Sequence, residues 1–365
     1  MRLMTRENGS PSSVLVVRLG ALGDVANTLP VVAGLRKCLP GVRLGWLAEP
    51  PADELVACAN LVEDIITFPR TALQDCGTRP WRWAEGFALS RRFLRDLRSR
   101  RYECVLDMQG TFKSGLLGLL SGAPVRIGFA RGYSREGNWL FNNVLAVPVA
   151  RDLPRVEKHA ALAQVLAPET KPTLPVEMRG TDRDAEIVNG LLDSVGPAAP
   201  LCVIHPGSSD FGRFKRWPAE RFGLVASRLA GELGVRCVVT QGPGESSLAA
   251  RVCSAGGEAA RLLPRLTIGQ LVELLRRADL VLAGDTGPLH VAAVMGRPVV
   301  AVFGPKDPKV YRPYGPTVAM VRKDVGCNPC TRRRCRRVRC LEEIGVDEVY
   351  DSCRRMLSAG QGPSA

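Results

Sequence analysis

Short apolar runs alternate with amphipathic stretches along this chain, and the alternation predicts parallel sheets with helices between their strands. In the first half, apolar runs predict strands at 14–17, 43–47, 64–68, 103–108 and 125–129. Between several of these runs, apolar residues recur at helical spacing, as they do over 25–39. Strands that alternate with helices are typical of α/β proteins with parallel sheets.

The second half repeats this pattern after a proline-rich segment. Strands are predicted at 201–205, 236–240, 280–283 and 299–303, and a helix is predicted to start at Pro218. We therefore predict an α/β protein with two domains whose parallel sheets face each other across a cleft, a common place for ligand sites. The predicted organisation is a tail at 1–12, a first domain at 13–170, a linker at 171–199, a second domain at 200–340, a C-terminal helix at 341–358 and a tail at 359–365.

The composition is that of a globular protein, and the net positive charge indicates which classes of partner to expect. Hydrophobic residues make up 45% of the 365 residues, and no uncharged apolar run is long enough to predict a membrane-spanning helix. The N-terminal residues are polar, so no signal peptide is predicted and the cytosol is the expected compartment. The net charge of +14 indicates anionic partners, such as phosphorylated substrates, an anionic membrane surface or nucleic acid. A plain solvated surface would explain the same excess.

A Gly-Asp turn follows the first predicted strand. Asp24 stands after two glycines, at the start of the next predicted helix. Open α/β sheets bind their ligands outside the carboxyl ends of the strands, which is where this turn belongs. The residues alone leave two roles open: Asp24 either caps the helix, which is worth about 1 kcal/mol, or acts on a substrate.

Two turns of the second half carry groups that suit an anion. The segment HPGSSDFGRFKRWP offers hydroxyl and backbone donors at Ser208 and Ser209, and Lys215 adds a positive charge. The turn QGPGE ends in Glu245, which either accepts a ribose-type hydroxyl or favours the start of a helix. An ordinary loop before a capped helix is the alternative for both turns.

The segment AGDTGPLHVAA is the most specific of the motifs. A strand leads into Asp285, Thr286 and Gly287, and a helix follows with His290 one turn inside. Backbone N–H groups at a helix start can hold a pyrophosphate, and the Asp285 carboxylate can accept hydrogen bonds from sugar hydroxyls. A weaker motif, FGPKDP, places Lys306 in another turn after a strand.

In this order, the motifs resemble glycosyltransferase family nine, the ADP-heptose–lipopolysaccharide heptosyltransferases. The segments RLGALGDVANTLP, HPGSS…FKRWP, DTGPLHVAA and FGPKDP follow the family order over nearly the whole chain. The resemblance implies a GT-B fold of two Rossmann-like domains, a nucleotide-sugar donor held mainly by the C-terminal domain, and a last helix that packs back on the first domain. It implies no required metal or other cofactor.

The resemblance also implies roles for individual residues. The chain would be an inverting glycosyltransferase that moves heptose from ADP-L-glycero-D-manno-heptose to the lipopolysaccharide inner core. Asp24 would be the general base, and Lys215 would neutralise the leaving diphosphate. The implied donor-binding residues are Ser208, Ser209, Lys215, Glu245, Asp285, Thr286, Gly287 and His290. The implied acceptor-binding residues are Arg79, Arg82, Lys113 and Arg135, with arginine forks suited to Kdo carboxylates or core phosphates.

The implied partners follow from this activity. The acceptor would be lipid A–Kdo or the growing core, so we expect a monomer at the cytoplasmic face of the inner membrane, attracted by its anionic surface. We expect no nucleic-acid partner. Two alternatives stay open: a related GT-B transferase that uses another nucleotide sugar, and a non-catalytic binder of nucleotide sugar or nucleic acid that uses the basic loop at 332–339.

Two departures from the family pattern affect the site. The segment between Ser209 and Lys215 is longer than in the shorter family members, so which serine meets phosphate is open. Gly20 stands where many members carry serine, which removes one contact to the acceptor.

A cysteine cluster lies near the C-terminus. Cys327, Cys330, Cys335 and Cys340 have the spacing C-x₂-C-x₄-C-x₄-C, and four thiolates can complete a tetrahedral zinc site. The alternative is a loop of free, redox-labile thiols, because the arginines between them favour the thiolate form.

Overall fold

A computed structural model gives the fold of residues 11–360, except for residues 149, 151, 331, 333, 334 and 336, and without the side chains of residues 210, 211 and 360. The predicted tails therefore lie mostly outside the described residues. The chain divides into two compact units, Met1–Thr173 and Leu174–Ala365. Within the described part of the chain, no helix combines the length and apolar character that crossing a membrane requires.

The first unit is built on a parallel sheet of six strands. The strands are β1 (Ser13–Val17), β2 (Arg43–Ala48), β3 (Asp64–Thr67), β4 (Cys104–Asp107), β5 (Val125–Phe129) and β6 (Val144–Ala146), in the spatial order β3-β2-β1-β4-β5-β6. The helices are α1 (Leu22–Ala26), α2 (Leu29–Cys38), α3 (Ala52–Ala59), α4 (Arg70–Gly77), α5 (Trp83–Ser99), α6 (Phe112–Leu120) and α7 (Arg155–Leu166). Strand β1 is buried throughout, which agrees with its unbroken apolar run.

The predicted helix over 25–39 is two helices in the structure. Helix α1 ends at Ala26, and α2 begins at Leu29 with Pro30 in its first turn. Proline has no backbone N–H and therefore suits the first turn of a new helix rather than the interior of a longer one.

The second unit contains another six-stranded parallel sheet. Its strands are β7 (Leu201–His205), β8 (Arg236–Val239), β9 (Ala260–Leu262), β10 (Leu280–Gly284), β11 (Val299–Phe303) and β12 (Val318–Arg322), in the order β12-β11-β10-β7-β8-β9. The helices are α8 (Asp182–Asp193), α9 (Ala219–Leu233), α10 (Ser246–Gly256), α11 (Ile268–Arg276), α12 (Gly287–Val294), α13 (Pro308–Tyr311), α14 (Arg339–Glu342) and α15 (Val346–Gly360). The predicted α/β class with two parallel sheets is confirmed.

The predicted linker at 171–199 is partly structured. It contains α8, which starts with a capping box: the Thr181 hydroxyl accepts from the Asp184 N–H, and the Asp184 carboxylate accepts from the Thr181 N–H. Helix α8 packs against α11 and so belongs to the second unit. The irregular parts of the predicted linker are the residues before this cap and those after α8, at 194–199.

The last helix packs in the core of the second unit. We predicted that it would pack back on the first domain, but α15 lies against α9 and against strands β10, β11 and β12. Val349, Tyr350 and Cys353 are buried there, with Trp217 in the same core cluster. The indole N–H of Trp217 donates to the Ile344 carbonyl at 3.1 Å, which fixes the segment that leads into α15.

Candidate functional site

Both sheets reverse their strand order beside their first strand. Strand β1 lies between β2 and β4, and β7 lies between β8 and β10. Such topological switch points open a crevice at the carboxyl ends of the strands, where α/β proteins bind ligands. Asp24 follows β1, Ser208 and Ser209 follow β7, and Asp285 follows β10. The sequence motifs therefore fall at the two switch points.

In the second unit, Lys215 and His290 meet on the carboxylate of Asp285. The Lys215 ammonium donates to Oδ2 and to the main-chain oxygen of Asp285, both at 2.8 Å. His290 Nε2 lies 3.4 Å from Oδ1. Burial opposes ionisation of this acid, but the His290 hydrogen bond and the Lys215 charge outweigh it and lower the pKa of Asp285 to about 2. The acid is therefore ionised at physiological pH.

The start of α12 lies directly after this acid. Thr286 is the N-cap residue, but its side chain makes no capping hydrogen bond, and Gly287 and Pro288 open the helix. The first N–H groups of a helix have no partner within it and, together with the helix dipole, favour an anion. The predicted residues Asp285, Thr286, Gly287 and His290 are thus brought together at one end of β10.

Glu245 is the centre of a second cluster in this unit. Its carboxylate accepts from the Gly242 N–H at 2.7 Å and lies 3.6 Å from both His205 Nε2 and the Arg216 guanidinium. A Cβ atom on Gly207 would collide with this carboxylate, so a side chain at position 207 would have to displace Glu245 from this position. Glu245 precedes α10 without capping it through its side chain.

The two serines after β7 differ in their surroundings. Ser208 is buried, and its hydroxyl accepts from Arg216 Nε at 3.2 Å. Ser209 is exposed and precedes a short 3₁₀ helix, Asp210–Lys215. The side chains of Ser208 and Lys215 converge on Gly212, where an added Cβ would lie 3.0 Å from Ser208 Oγ and 3.1 Å from Lys215 Cε.

Burial also sets the protonation state of His205. Its Nδ1 lies 3.0 Å from the Thr240 hydroxyl. Burial, assisted by the nearby charge of Arg216, lowers the pKa of His205 to about 4. A neutral imidazole therefore faces Glu245.

Asp24 lies in the first turn of α1 but does not cap it. The N-cap residue is Ala21, and no side chain caps this helix. Arg18 approaches Asp24 Oδ2 at 2.6 Å, and the Arg155 guanidinium contacts Oδ1. Of the two roles left open by the sequence, capping is therefore not the one that the structure gives to this carboxylate.

Arg18, which pairs with Asp24, is fixed by a second contact. It is buried and donates to the Met108 carbonyl at 2.9 Å. Burial lowers the pKa of Arg18 to about 10, although the negative charge of Asp107 opposes this change; the charge of Arg135 adds to it. The charge of the predicted acceptor residue Arg135 therefore acts on Arg18, the buried partner of Asp24.

A pocket of about 710 Å³ adjoins this turn within the first unit. The buried carboxylate of Glu49 lies in its wall, paired with Arg70 at 3.2 Å and in contact with Lys113. The pocket is lined by Leu19, Gly20, Ala21, Leu22, Glu49, Pro50, Pro51, Ala52, Phe68, Arg70, Leu73, Gln74, Gln109 and Lys113. Of the predicted acceptor residues, Lys113 lines it.

The other two predicted acceptor residues lie elsewhere on this unit. Arg79 pairs with Asp75 at 3.4 Å, and Arg82 contacts Asp75 and pairs with Glu85 at 2.6 Å. These pairs lie on and between α4 and α5, and neither arginine lines the pocket. Arg70 does line it, and the sequence motifs did not single it out.

The four cysteines of the C-terminal cluster differ in burial. Among the described residues, no group of three or more His, Cys, Asp or Glu side chains is placed to hold a metal ion. Cys340 is buried, and burial, together with the neighbouring thiols, raises the pKa of this thiol. Cys327 and Cys335 are exposed. The described geometry thus gives no support to the zinc alternative.

The chain is similar to known proteins over most of its length. A family model described as glycosyltransferase family 9 (heptosyltransferase) matches residues 90–340. Lipopolysaccharide heptosyltransferase 1 of Pseudomonas aeruginosa is 29% identical over 324 residues, which cover 88% of this chain and 87% of that protein. Lipopolysaccharide heptosyltransferase 1 of Escherichia coli K12 is 25% identical, over 83% of this chain and 91% of that protein.

Solved structures share the fold over nearly the whole chain. The ADP-heptose lipopolysaccharide heptosyltransferase II of E. coli superimposes with a TM-score of 0.76 at 22% identity, covering 96% of this chain and all of that one. An E. coli heptosyltransferase solved with ADP-2-deoxy-2-fluoro heptose gives a TM-score of 0.68 at 25% identity, covering 86% of this chain and 93% of that one.

Proposed function

Because the chain belongs to glycosyltransferase family 9 and is a glycosyltransferase, we propose that it transfers heptose from ADP-L-glycero-D-manno-heptose to the lipopolysaccharide inner core. The relatives named lipopolysaccharide heptosyltransferases, which match most of their own length, support this substrate pair. The structural relative that holds an ADP-heptose analogue supports the donor.

The observation that carries the proposal is the position of Asp24. Its carboxylate is 26% exposed at a topological switch point, beside a pocket that contains cationic side chains. A general base needs a carboxylate that substrate can reach. The burial of Asp107 and Asp285 makes either of them a poorer choice.

In the proposed reaction, Asp24 takes the proton of an acceptor hydroxyl while that oxygen attacks the anomeric carbon of the donor. The new C–O bond forms as the bond to the diphosphate breaks, and ADP leaves with the electron pair, so the anomeric configuration inverts. General base catalysis of this kind contributes about 10²–10⁴ in rate.

The donor site of the second unit would stabilise the leaving group. Lys215 and the N–H groups at the start of α12 would face the diphosphate, where negative charge develops as the bond breaks. Ser208 and Ser209 would add hydroxyl donors, and Glu245, Asp285 and His290 would bind hydroxyls of the ribose or the sugar. This assignment requires no metal or other cofactor.

We also propose that the protein works as a monomer on the anionic cytoplasmic face of the inner membrane, where a lipid A–Kdo acceptor would lie. Trp81, Trp83 and Phe87 are exposed close to Arg79 and Arg82, a combination typical of side chains at a membrane surface. Vesicles with anionic lipid should bind the protein more tightly than neutral vesicles, and W81A/W83A should weaken this binding. Equal binding to both vesicle types would contradict the assignment.

The experiment that tests the activity is a transfer assay with several donors. ADP-heptose, UDP-sugars and GDP-sugars are each supplied with lipopolysaccharides truncated in the inner core, and we expect transfer from ADP-heptose alone. Transfer from another donor would favour the alternative of a related GT-B enzyme. Absence of both transfer and binding with ADP-heptose would overturn the proposal.

A further inference from the structure

The two guanidinium groups on Asp24 are held with different firmness. Arg18 is 7% exposed, and it is tied to the Met108 carbonyl as well as to Asp24 Oδ2. Its Nε is buried without a hydrogen-bond partner. Arg155 is 27% exposed and is the first residue of α7. Arg155 can therefore move into solvent or toward a ligand at a much smaller cost than Arg18.

Both oxygens of Asp24 face one of these guanidinium groups. A general base must come within about 2.6–3.2 Å of the atom that gives up the proton. An acceptor hydroxyl thus competes with an ion pair for the carboxylate. Releasing Arg18 would leave a buried charge without its partner, which is strongly unfavourable, so the pair that opens is the one with Arg155.

We propose that Arg155 exchanges one carboxylate for another: it binds Asp24 in the absence of acceptor and the carboxylate of an acidic acceptor sugar during turnover. The exchange frees Asp24 Oδ1 for the hydroxyl that is to be deprotonated. Arg155 is thus an acceptor-binding residue that also positions the base. This inference rests on the proposed role of Asp24.

The chemistry of the pair indicates a carboxylate as the incoming group. Arg155 already binds a carboxylate, and the planar guanidinium fork matches a second one in shape and charge. Arg155 differs from the cations of the adjoining pocket, Arg70 and Lys113, because those two pair with Glu49 and only the departure of Arg155 uncovers Asp24. An acceptor without a carboxylate would leave Arg155 on Asp24 and would react slowly, so the exchange selects acidic acceptors.

The test measures binding rather than turnover. The full-length protein is titrated by calorimetry with a Kdo disaccharide and with its methyl ester. We expect the acid to bind about tenfold more tightly than the ester, as one charge-assisted hydrogen-bonded pair provides, and R155Q to lose this preference. R36Q is the matched control, because Arg36 is 25% exposed and pairs with Glu63 at 2.6 Å in the same unit; it should keep the preference.

A second arm tests the competition itself. D24N should bind the acid several times more tightly than the wild type, because Arg155 no longer has to leave an ionised partner. This gain should vanish in D24N/R155Q. A gain that persists in the double variant would come from the general loss of negative charge and would overturn the exchange.

Further outcomes are decisive as well. R155K keeps the charge but not the fork, so it should show an intermediate preference even if R155Q does not fold. Retention of the full preference in R155Q, or binding of neither acid nor ester by the wild type, overturns the inference. Absence of heptose transfer by the wild type would overturn the proposed function, whereas the ratio of acid to ester binding judges the exchange separately.

Discussion

The two units have the same strand order, yet the acids at their switch points differ in what they can do. Asp24 lies between two guanidinium groups, and Asp285 lies between Lys215 and His290. Asp285 is 10% exposed and its pKa is lowered to about 2, whereas Asp24 is 26% exposed. Similar pairing with basic groups thus gives one enclosed acid that is ionised at physiological pH and one that a substrate can reach.

The comparison shows that the strand topology determines where each acid lies, whereas burial determines whether that acid can react with a substrate. In both sheets the carboxyl ends of neighbouring strands bring an acid to a crevice. A buried acid with a fixed cation organises the site around itself, while an accessible acid beside a movable cation can take part in a reaction. Variants that remove one acid or its partner should therefore affect the two units differently.

The largest expected effect is that of D24N on turnover. Asparagine keeps the size and polarity of the side chain but cannot take a proton, so kcat should fall by about 10²–10⁴. Thermal unfolding should shift only modestly, because the amide oxygen of asparagine can still accept from the buried Arg18 and the side chain at position 24 does not cap α1. Steady-state kinetics with ADP-heptose and a melting curve check both parts; a variant that keeps a tenth of the wild-type kcat would remove Asp24 from the base role.

K215A should reduce both activity and stability, unlike D24N. Loss of one charged donor to a developing anion typically lowers kcat by about 10²–10³. The substitution also leaves Asp285 with one basic partner fewer in a buried place, so unfolding should occur at lower urea concentration. K309A, which alters an exposed lysine of the same unit, is the control for charge. Full activity in K215A would mean that Lys215 does not stabilise the leaving diphosphate.

The fold was predictable from the sequence where the pattern is local and strong. Most of the central strands were predicted from their apolar runs, whereas β6, β9 and β12, which are short or only partly buried, were not predicted. Helix α8 was missed although Thr181 and Asp184 form a capping box, a signal present in the sequence. A C-terminal helix was predicted at 341–358, but the core that α15 joins, that of the second unit, was not.

The candidate site was predictable only in part, for a physical reason. Glycine turns after strands marked Asp24 and Asp285, since such turns carry their own local pattern. Arg18 and Arg155 were missed because they matter through contact with Asp24, and Arg155 comes from a helix far along the chain. Arg216 was missed for the same reason: its partner Glu245 belongs to another turn.

Two buried histidines extend the comparison to acid stability. His159 in the first unit and His205 in the second each place Nδ1 near a threonine hydroxyl, and burial lowers the pKa of both. A histidine of the unfolded chain takes up a proton near pH 6.5, whereas His205 in the folded protein does so only near pH 4. The contribution of His205 is therefore complete above about pH 6.5 and falls toward pH 4, by about 2 kcal/mol between pH 7 and pH 5, and that of His159 changes in the same direction. Urea unfolding of H159Q and H205Q should show a weaker pH dependence than the wild type; an unchanged slope would mean that these rings are protonated in the fold.

The smallest expected effect is that of D285N on the free energy of unfolding, which can be compared directly with that of D24N. The pKa of Asp285 is lowered to about 2 from 3.8, so its ionised form stabilises the fold above about pH 4, and this contribution is lost as the pH falls through about 2. D285N should therefore cost about 1–2 kcal/mol at pH 7, and its difference from the wild type should shrink toward pH 2. D24N, measured by urea unfolding under the same conditions, should cost less at pH 7 because its carboxylate is more exposed. If D24N were the more destabilising of the two, Asp24 would be the structural acid, and the division of roles drawn from burial would be reversed.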